Sequence, residues 1–272
     1  MCMTSLDNTG DSRAATSKLL GKIVYLLFSG IVAVDLVGCH KTTVLPPRTE
    51  SATDSIRDAD HLYSEREDLL KVRQAIVILR QAQAVDPSNY EIAWRLAEYN
   101  YDLGSSTTND AEKAKAFQDG IEAGKLAVKL IDNRPEGHFW LGANYGGEAE
   151  INTLAGLAAI DDIKTEMDRV LKIDEHYEAG SAYMVLGQVY LEAPKMFGGD
   201  SAKAIEFFEK GLKVGPNNAT LHLHLAKAYF AANRKEDARK QIDELFAMKP
   251  TAGYEPEYNQ AIAEAKKLRE KL

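Results

Sequence analysis

The sequence predicts an all-α protein, an α-solenoid of about five helix pairs followed by a C-terminal capping helix. Two observations support this prediction. A set of small or apolar residues recurs five times with spacings of 4, 3 and 5, and a large residue followed by a smaller or aromatic one precedes each copy. Repetition of this kind is typical of stacked helix pairs, in which each pair buries its apolar face against the next.

The recurring set places three residues on one helical face, and a proline, once replaced by glutamate, then ends the helix. The five copies are Ala75, Leu79, Ala82, Pro87; Ala123, Ala127, Leu130, Pro135; Ile163, Met167, Val170, Glu175; Ala204, Phe208, Gly211, Pro216; and Ala238, Ile242, Leu245, Pro250. The last two copies lie 34 residues apart, measured from Ala204 to Ala238. This spacing predicts one repeated structural unit.

A second helix is predicted before each copy, marked by Leu62-Tyr63, Leu96-Ala97, Leu141-Gly142, Leu186-Gly187 and Leu225-Ala226. Small residues allow paired helices to approach closely, and aromatic residues three positions later fill the seam. Arg66 and Asn100 replace that aromatic residue in the first two units. Residues 256–272 are amphipathic and charge-rich, which favours a polar capping helix.

Composition and charge exclude one class of function. Apolar residues make up 45% of the chain and charged residues 27%, as in ordinary globular proteins. The net charge is −8, and lysine and arginine alternate with acidic residues along the predicted helices. A nucleic-acid binder needs a basic stripe. We therefore expect no nucleic-acid partner.

The N-terminal segment predicts export and a lipid anchor. Basic residues precede an apolar run at 23–34, which is too short to span a bilayer as a helix, since about 20 residues are needed. The run ends near Leu36-Val37-Gly38-Cys39, which resembles the lipobox of bacterial lipoproteins. Asp35 and the long leader depart from that pattern. The alternative is an uncleaved anchor with an unmodified Cys39.

These features divide the chain into four predicted parts. Residues 1–38 form a lipoprotein signal peptide, and residues 39–55 form an acylated cysteine with a flexible tether. Residues 56–255 hold five degenerate repeats, and residues 256–272 form the capping helix. Acyl chains on Cys39 would hold the body at a membrane.

Three units are longer than the others between the first-helix leucine and the second-helix marker. The excess is 14 residues in unit 2, 9 in unit 3 and 5 in unit 4. Because the turn inside each repeat recurs along one edge of a solenoid, we expect the extra residues to form loops on that edge. Such loops often mark a working face. The alternative is drift in surface loops, which costs little stability.

First helices of such stacks line the concave surface, at positions two before, two after and five after the marker leucine. The predicted groove contacts are Trp94, Glu98, Tyr101, Phe139, Met184, Gln188, Leu191, Leu223, Lys227 and Phe230, together with the small residues Ala143 and Gly146. Most of this set is apolar, which favours a ligand or partner cavity. The alternative is that residues 151–160 fill the groove.

No residue pattern predicts catalysis, a cofactor or a metal site. His222 and His224 are two apart and point to different sides of a helix, whereas helical metal ligands are usually three or four apart. Gly198-Gly199-Asp200 lacks the lysine of a phosphate loop, and Asp200 is better suited to cap the next helix.

The repeats resemble tetratricopeptide repeats, as in LGQVY (186–190), LAKAY (225–229) and FFEKGLKVGPNN (207–218). Three further segments resemble the T components of TRAP transporters and the related regulators of microtubule dynamics. They are WRLAEYNYDL (94–103), EGHFWLGANYG (136–146) and LEAPKMFGGDSAKAIEFFEKGL (191–212). The resemblance implies a periplasmic lipoprotein that associates with a solute-binding subunit, carries apolar passage features and can form a homo-oligomer.

We therefore expect a non-catalytic lipoprotein scaffold at the bacterial cell envelope, on the periplasmic side, at the outer membrane. It would bind a protein partner and an apolar ligand in its groove as an accessory of a TRAP-type solute transporter. The alternative is an envelope assembly protein unrelated to transport. An enzyme is a third hypothesis, for which no residue set can be named.

Overall fold

A computed structural model describes residues 51–272, and within that range it contains eleven α-helices and no strand. The helices are α1 (Ala52–Tyr63), α2 (Leu69–Val85), α3 (Tyr90–Ser106), α4 (Asp110–Leu130), α5 (Pro135–Ile151), α6 (Thr153–Ile173), α7 (Ser181–Glu192), α8 (Ser201–Val214), α9 (Ala219–Ala231), α10 (Lys235–Ala247) and α11 (Glu255–Arg269). The predicted all-α solenoid is confirmed. The predicted signal peptide and Cys39 lie outside the described residues.

The helices begin where short polar side chains can bond to free backbone N–H groups. The side chains of Asp68, Asn89, Asn109, Asp200 and Asn218 each accept from a backbone N–H in the first turn of the following helix. These bonds satisfy donors that have no partner inside the helix. The prediction that Asp200 caps a helix is confirmed.

The three recurring residues of each second helix form the core between paired helices. They are buried in all five repeats, apart from Leu130, which is half-buried. Each helix packs mainly on its neighbours in sequence, as a solenoid requires. The cap α11 buries Ala261, Ala265 and Leu268 against the last repeat and leaves charged residues outside. None of the helices within residues 51–272 is both long and apolar enough to span a bilayer.

The extra residues of units 2 and 3 lengthen helices and do not form loops, so the prediction of three edge loops is wrong for these two units. Helices α3 and α4 have 17 and 21 residues, against 13 in each helix of the last repeat. Only residues 107–109 separate α3 from α4, and only Asn152 separates α5 from α6. The inserted residues keep the helical spacing of buried side chains, as Phe117 and Gly120 show, so helix is preferred over loop. Of the three longer units, only unit 4 has its extra residues in a loop, at residues 193–200, which includes a short 3-10 helix at Lys195–Phe197.

A left-handed turn connects α6 to α7. Glu178, Ala179 and Gly180 have φ values of 49°, 49° and 79°. Left-handed backbone costs an L-residue roughly 1–2 kcal/mol, and only glycine adopts it freely. A Cβ atom on Gly180 would lie 2.9 Å from the carbonyl oxygen of Gly211. The turn therefore stores strain where it packs against α8.

Candidate functional site

The concave side of the solenoid forms a partly open cavity of about 1190 Å³. Its wall comes from the first helices of repeats 2 to 5, which are α3, α5, α7 and α9, and from the cap α11. The volume exceeds the 300–1,000 Å³ of typical small-molecule sites. The cavity is large enough for an extended ligand.

Six of the ten predicted groove residues line this cavity: Tyr101, Phe139, Met184, Gln188, Leu223 and Lys227. Ala143 and Gly146 line it as well. The structure therefore brings together side chains from four successive repeats, as the repeat positions predict.

Trp94, Glu98, Leu191 and Phe230 are not among the lining residues. The indole N–H of Trp94 donates to Glu91 over 2.9 Å, and the guanidinium of Arg95 lies 4.2 Å from the centre of its ring. Leu191 and Phe230 pack against the buried side chains of the last repeats. Trp94, Leu191 and Phe230 are thus used for packing inside the wall.

The apolar part of the wall is built from aromatic rings in mutual contact. Phe139 meets Trp140 edge-to-face at 5.0 Å between ring centres, and Trp140 lies 5.6 Å from Tyr101. Phe139 also contacts Tyr177 at 5.4 Å. Such pairs prefer tilted geometries, which fix the ring orientations. The wall is therefore a rigid aromatic surface.

Helix α6 forms another part of the wall and does not fill the space. Gly156, Leu157 and Ile160 line the cavity. Leu154 at the start of the helix is 81% exposed. Residues 151–160, the alternative occupant of the groove, therefore border the cavity and do not plug it.

Two carboxyl groups on neighbouring parts of the wall face the cavity, and a third lies beside them. Asp102 and Glu178 line the cavity, while Glu98 lies one helical turn before Asp102 on the same face of α3. We call these three residues the inner acidic cluster. Asp102 was missed in the sequence because the groove positions were two before, two after and five after the marker leucine, whereas Asp102 is six after Leu96.

Burial and mutual repulsion change the ionisation of this cluster. Burial, with the charges of Asp102 and Glu178, raises the pKa of Glu98 well above its usual range. Burial also raises the pKa of Asp102 to about 6, although the Tyr63 hydroxyl and Arg66 favour its charged form. A positive charge placed close to these carboxyl groups would lower their pKa values again.

The first repeat and the cap meet across the cavity. Arg66 Nη2 donates to the carbonyl oxygen of Gly253 at 2.7 Å and to Glu257 Oε1 at 2.8 Å. The hydroxyl of Tyr254 donates to Glu178 Oε2 at 2.6 Å. We call these three bonds the closing contacts. They join distant parts of the chain, so the solenoid closes around its own groove.

The remaining charges of the wall lie towards α9 and the ends of α5 and α7. Lys227 Nζ donates to Glu264 Oε2 at 2.6 Å. Burial and the nearby Glu150 raise the pKa of Glu192. Burial lowers the pKa of His224 to about 4, so this imidazole is neutral at pH 7. Lys227, the cation that lines the cavity from α9, is therefore already paired.

Comparisons with known proteins agree with the repeat fold. The thermophilic TPR protein TTC0263 of Thermus thermophilus superposes with a TM-score of 0.60 at 17% identity, covering 79% of this chain and 99% of that chain. PilF of Pseudomonas aeruginosa superposes with a TM-score of 0.51 at 19% identity, covering 79% and 90%. At these identities the similarity shows the fold alone. No curated protein sequence matches the chain.

A family model described as TRAP transporter T-component matches residues 82–271. The matched range begins in α2 and extends beyond the cap α11, so it includes most of the cavity wall. Because this match covers well over half of the sequence, the chain belongs to the TRAP transporter T-component family.

Proposed function

We propose that the protein is a non-catalytic accessory of a TRAP-type solute transporter, which binds an apolar ligand in its cavity and a solute-binding subunit on its surface. Family membership supports the transport role. The observation that carries ligand binding is the concave cavity with its aromatic wall. Transfer of apolar surface from water to such a wall is favourable by roughly 25 cal/mol per Å².

A binding role fits the polar groups of the wall. His224 contacts Gln188 at 3.3 Å and stacks near the ring of Phe208, and Lys227 is held by Glu264. These contacts hold Gln188, His224 and Lys227 in place. We infer that the cavity retains a molecule without converting it.

Exposed apolar side chains mark a surface for the protein partner. Met196 is 85% exposed and Phe197 42% in the loop of unit 4, and Leu154 is 81% exposed near the turn of unit 3. Turns inside successive repeats lie along the same edge of a solenoid. We infer that this edge contacts the solute-binding subunit, since exposed apolar patches are typical of interaction sites.

The anchor is proposed from the sequence. Acylation of Cys39 would place the body on the periplasmic side of the envelope, at the outer membrane. Cys39→Ser should move the protein from the membrane fraction to the soluble fraction and remove labelling by radioactive palmitate. Cys2→Ser is the matched control and should change neither. Membrane fractionation of Cys39→Ser like the wild type would contradict the lipid anchor.

The ligand proposal is tested by native mass spectrometry of the gently purified chain. We expect an added mass that disappears after denaturation. A chain that carries no added mass, and that takes up no apolar amphiphile when one is supplied, would contradict ligand binding.

The partner proposal is tested by affinity capture with the solute-binding subunit of a TRAP transporter from the same genome. Replacing Met196 and Phe197 by aspartate should abolish capture. Val85→Asp is the control, because Val85 is 71% exposed at the end of α2. Equal capture by all variants would exclude this edge, and capture of other envelope proteins instead would favour an assembly role.

A further inference from the structure

The charges that line the cavity are unbalanced. Its cations are Arg66, Lys227 and Lys249, of which Arg66 is bound to Glu257 and Lys227 to Glu264. Its carboxyl groups are more numerous and come from Glu67, Asp102, Glu150, Glu178, Glu192, Glu257 and Glu264. After the two ion pairs are set aside, the wall carries an excess of negative charge.

Two of these carboxyl groups, Asp102 and Glu178, belong to the inner acidic cluster, and both are only partly exposed. Glu178 receives a hydrogen bond from the neutral hydroxyl of Tyr254, and Asp102 receives one from that of Tyr63. The nearest cation to Asp102 is Arg66, at 3.7 Å, and the same guanidinium also forms an ion pair with Glu257. Glu98 makes no hydrogen bond or salt bridge with any residue in 51–272. The cluster therefore lacks a cation of its own.

Aromatic rings extend from the cluster into the cavity. Tyr101 follows Glu98 and precedes Asp102 on α3, and it contacts Trp140, which contacts Phe139. A cation placed near such ring faces is attracted by their quadrupoles, while an apolar chain packs against the same rings. The cavity thus offers negative charge and apolar surface side by side.

We propose that the ligand is an organic cation with an apolar body, such as a long-chain or aromatic amine. Its ammonium group would lie at Asp102 and Glu178, with Glu98 behind them, and its apolar body would follow Phe139 and Trp140. This inference rests on the proposed ligand-binding function and specifies that the ligand is positively charged. A fatty acid or another anion would meet repulsion at the same place, because the lining arginine is already paired.

Binding of a cation would release protons. The groups that face Glu98 are Asp60 and Tyr63 on α1, Arg95, Tyr99 and Asp102 on α3, Tyr177 and Glu178 before α7, and Tyr254 before α11. Most of these groups are acidic or neutral, and together with burial they raise the pKa of Glu98 well above its usual range. A nearby ammonium group lowers the pKa of a carboxyl group. Affinity for the cation should therefore rise with pH.

The test compares decylammonium, decanoate and decanol on the full-length chain by isothermal titration calorimetry, below the micelle concentration of each. We expect decylammonium to bind at least tenfold more tightly than decanol and decanoate to bind weakest. In buffers of different ionisation enthalpy, decylammonium binding at pH 6.5 should release protons, whereas decanol binding should release none.

Two variants locate the charge. Glu98→Gln combined with Glu178→Gln should weaken decylammonium binding at least tenfold and leave decanol binding unchanged, which also shows that the cavity is intact. Glu236→Gln is the control, because this carboxylate is 88% exposed on α10. Its affinities should equal those of the wild type.

The outcomes separate the two proposals. Equal binding of decanol and decylammonium, or no effect of the double variant, would overturn the cationic ligand while leaving an apolar ligand in place. Tighter binding of decanoate would overturn it in the same way. Failure of all three probes to bind would overturn both the cationic ligand and the ligand-binding function.

Discussion

Arg66, in the turn after α1, binds Glu257 in α11 through a side-chain contact of 2.8 Å that joins residues 191 positions apart. In an open solenoid each repeat contacts only its neighbours. Here the first repeat and the cap touch each other, and the groove between them becomes a cavity. The closing contacts therefore decide how enclosed the cavity is.

Arg66→Ala should separate the first repeat from the cap and open the cavity between them. Because the side chain of Arg66 is only 16% exposed and its bonds are charge-assisted, we expect a loss of about 1–2 kcal/mol in the free energy of unfolding. Small-angle X-ray scattering should show a larger radius of gyration, and urea titration should give the stability. Arg57→Ala is the control, because Arg57 is 67% exposed and pairs only within α1. Identical scattering of Arg66→Ala and wild type would contradict closure by this contact.

The close approach of α7 and α8 depends on Gly187. A Cβ atom there would lie 2.4 Å from the ring of Phe208, which is fully buried. Gly187→Leu should overpack the helix pair and lower the free energy of unfolding by about 1–3 kcal/mol or more. Thermal and urea unfolding measure the change. A neutral result would contradict the assigned pairing.

Gly146 in α5 provides the matched control for that substitution. No atom lies within 4 Å of a Cβ built at this position. Because alanine is a better helix former than glycine, Gly146→Ala should raise the free energy of unfolding by about 0.5–1 kcal/mol. A large loss for Gly146→Ala would mean that the cavity wall is tighter than the structure shows.

Asp102 should make stability depend on pH. Its pKa is raised to about 6, so the native state holds a proton that the unfolded state releases near pH 4. The native state is therefore favoured below pH 4, and this advantage is lost as pH rises from about 4 to 6. Asp102→Asn keeps an acceptor for Tyr63 and removes the charge. At pH 8 this variant should be more stable than the wild type by on the order of 1–3 kcal/mol. At pH 5 the same advantage should be smaller.

Chemical denaturation at both pH values measures this difference. Asp161→Asn, at an exposed site on α6, is the control and should show no pH-dependent gain. A constant difference between wild type and Asp102→Asn from pH 5 to pH 8 would show that Asp102 keeps an ordinary pKa. The neighbours that set this behaviour are Tyr63, Arg66, Glu178 and Glu257.

The left-handed turn predicts a gain of stability on substitution by glycine. Ala179 has φ 49° and ψ 44° and is exposed, so its side chain adds strain and little packing. Ala179→Gly should raise the free energy of unfolding by about 1 kcal/mol. Ala114→Gly, at an exposed position inside α4, should lower it by about 0.5–1 kcal/mol. Equal losses for both would mean that the turn is not left-handed.

Local patterns in the sequence predicted the repeats well. The spacing of buried residues, the proline after each second helix and the cap at Asp200 act within one or two turns of helix, so they can be recognised without the fold. Repeat positions also identified cavity residues such as Tyr101, Phe139 and Gln188. Equivalent positions of successive helix pairs face the same side of the solenoid, so they can be read from the repeat alone.

Features that depend on the curvature of the whole stack could not be predicted. Arg66 and Glu257 meet only because the repeats curve far enough to bring the first repeat and the cap together. The sequence around either residue does not predict that curvature. Trp94 and Phe230 occupy groove positions by number, but neighbouring side chains draw them into the packing of the wall. Asp102 lies six residues after Leu96, one position beyond those taken from the repeat, so the repeat positions did not identify it.

Because α11 supplies one wall and Arg66 lies in the turn after α1, both regions must be folded before the cavity is complete. A chain in which α11 has not yet docked would hold a more open groove, which offers an apolar molecule less shelter from water. A ligand of the proposed kind would therefore bind tightly only after α11 has docked.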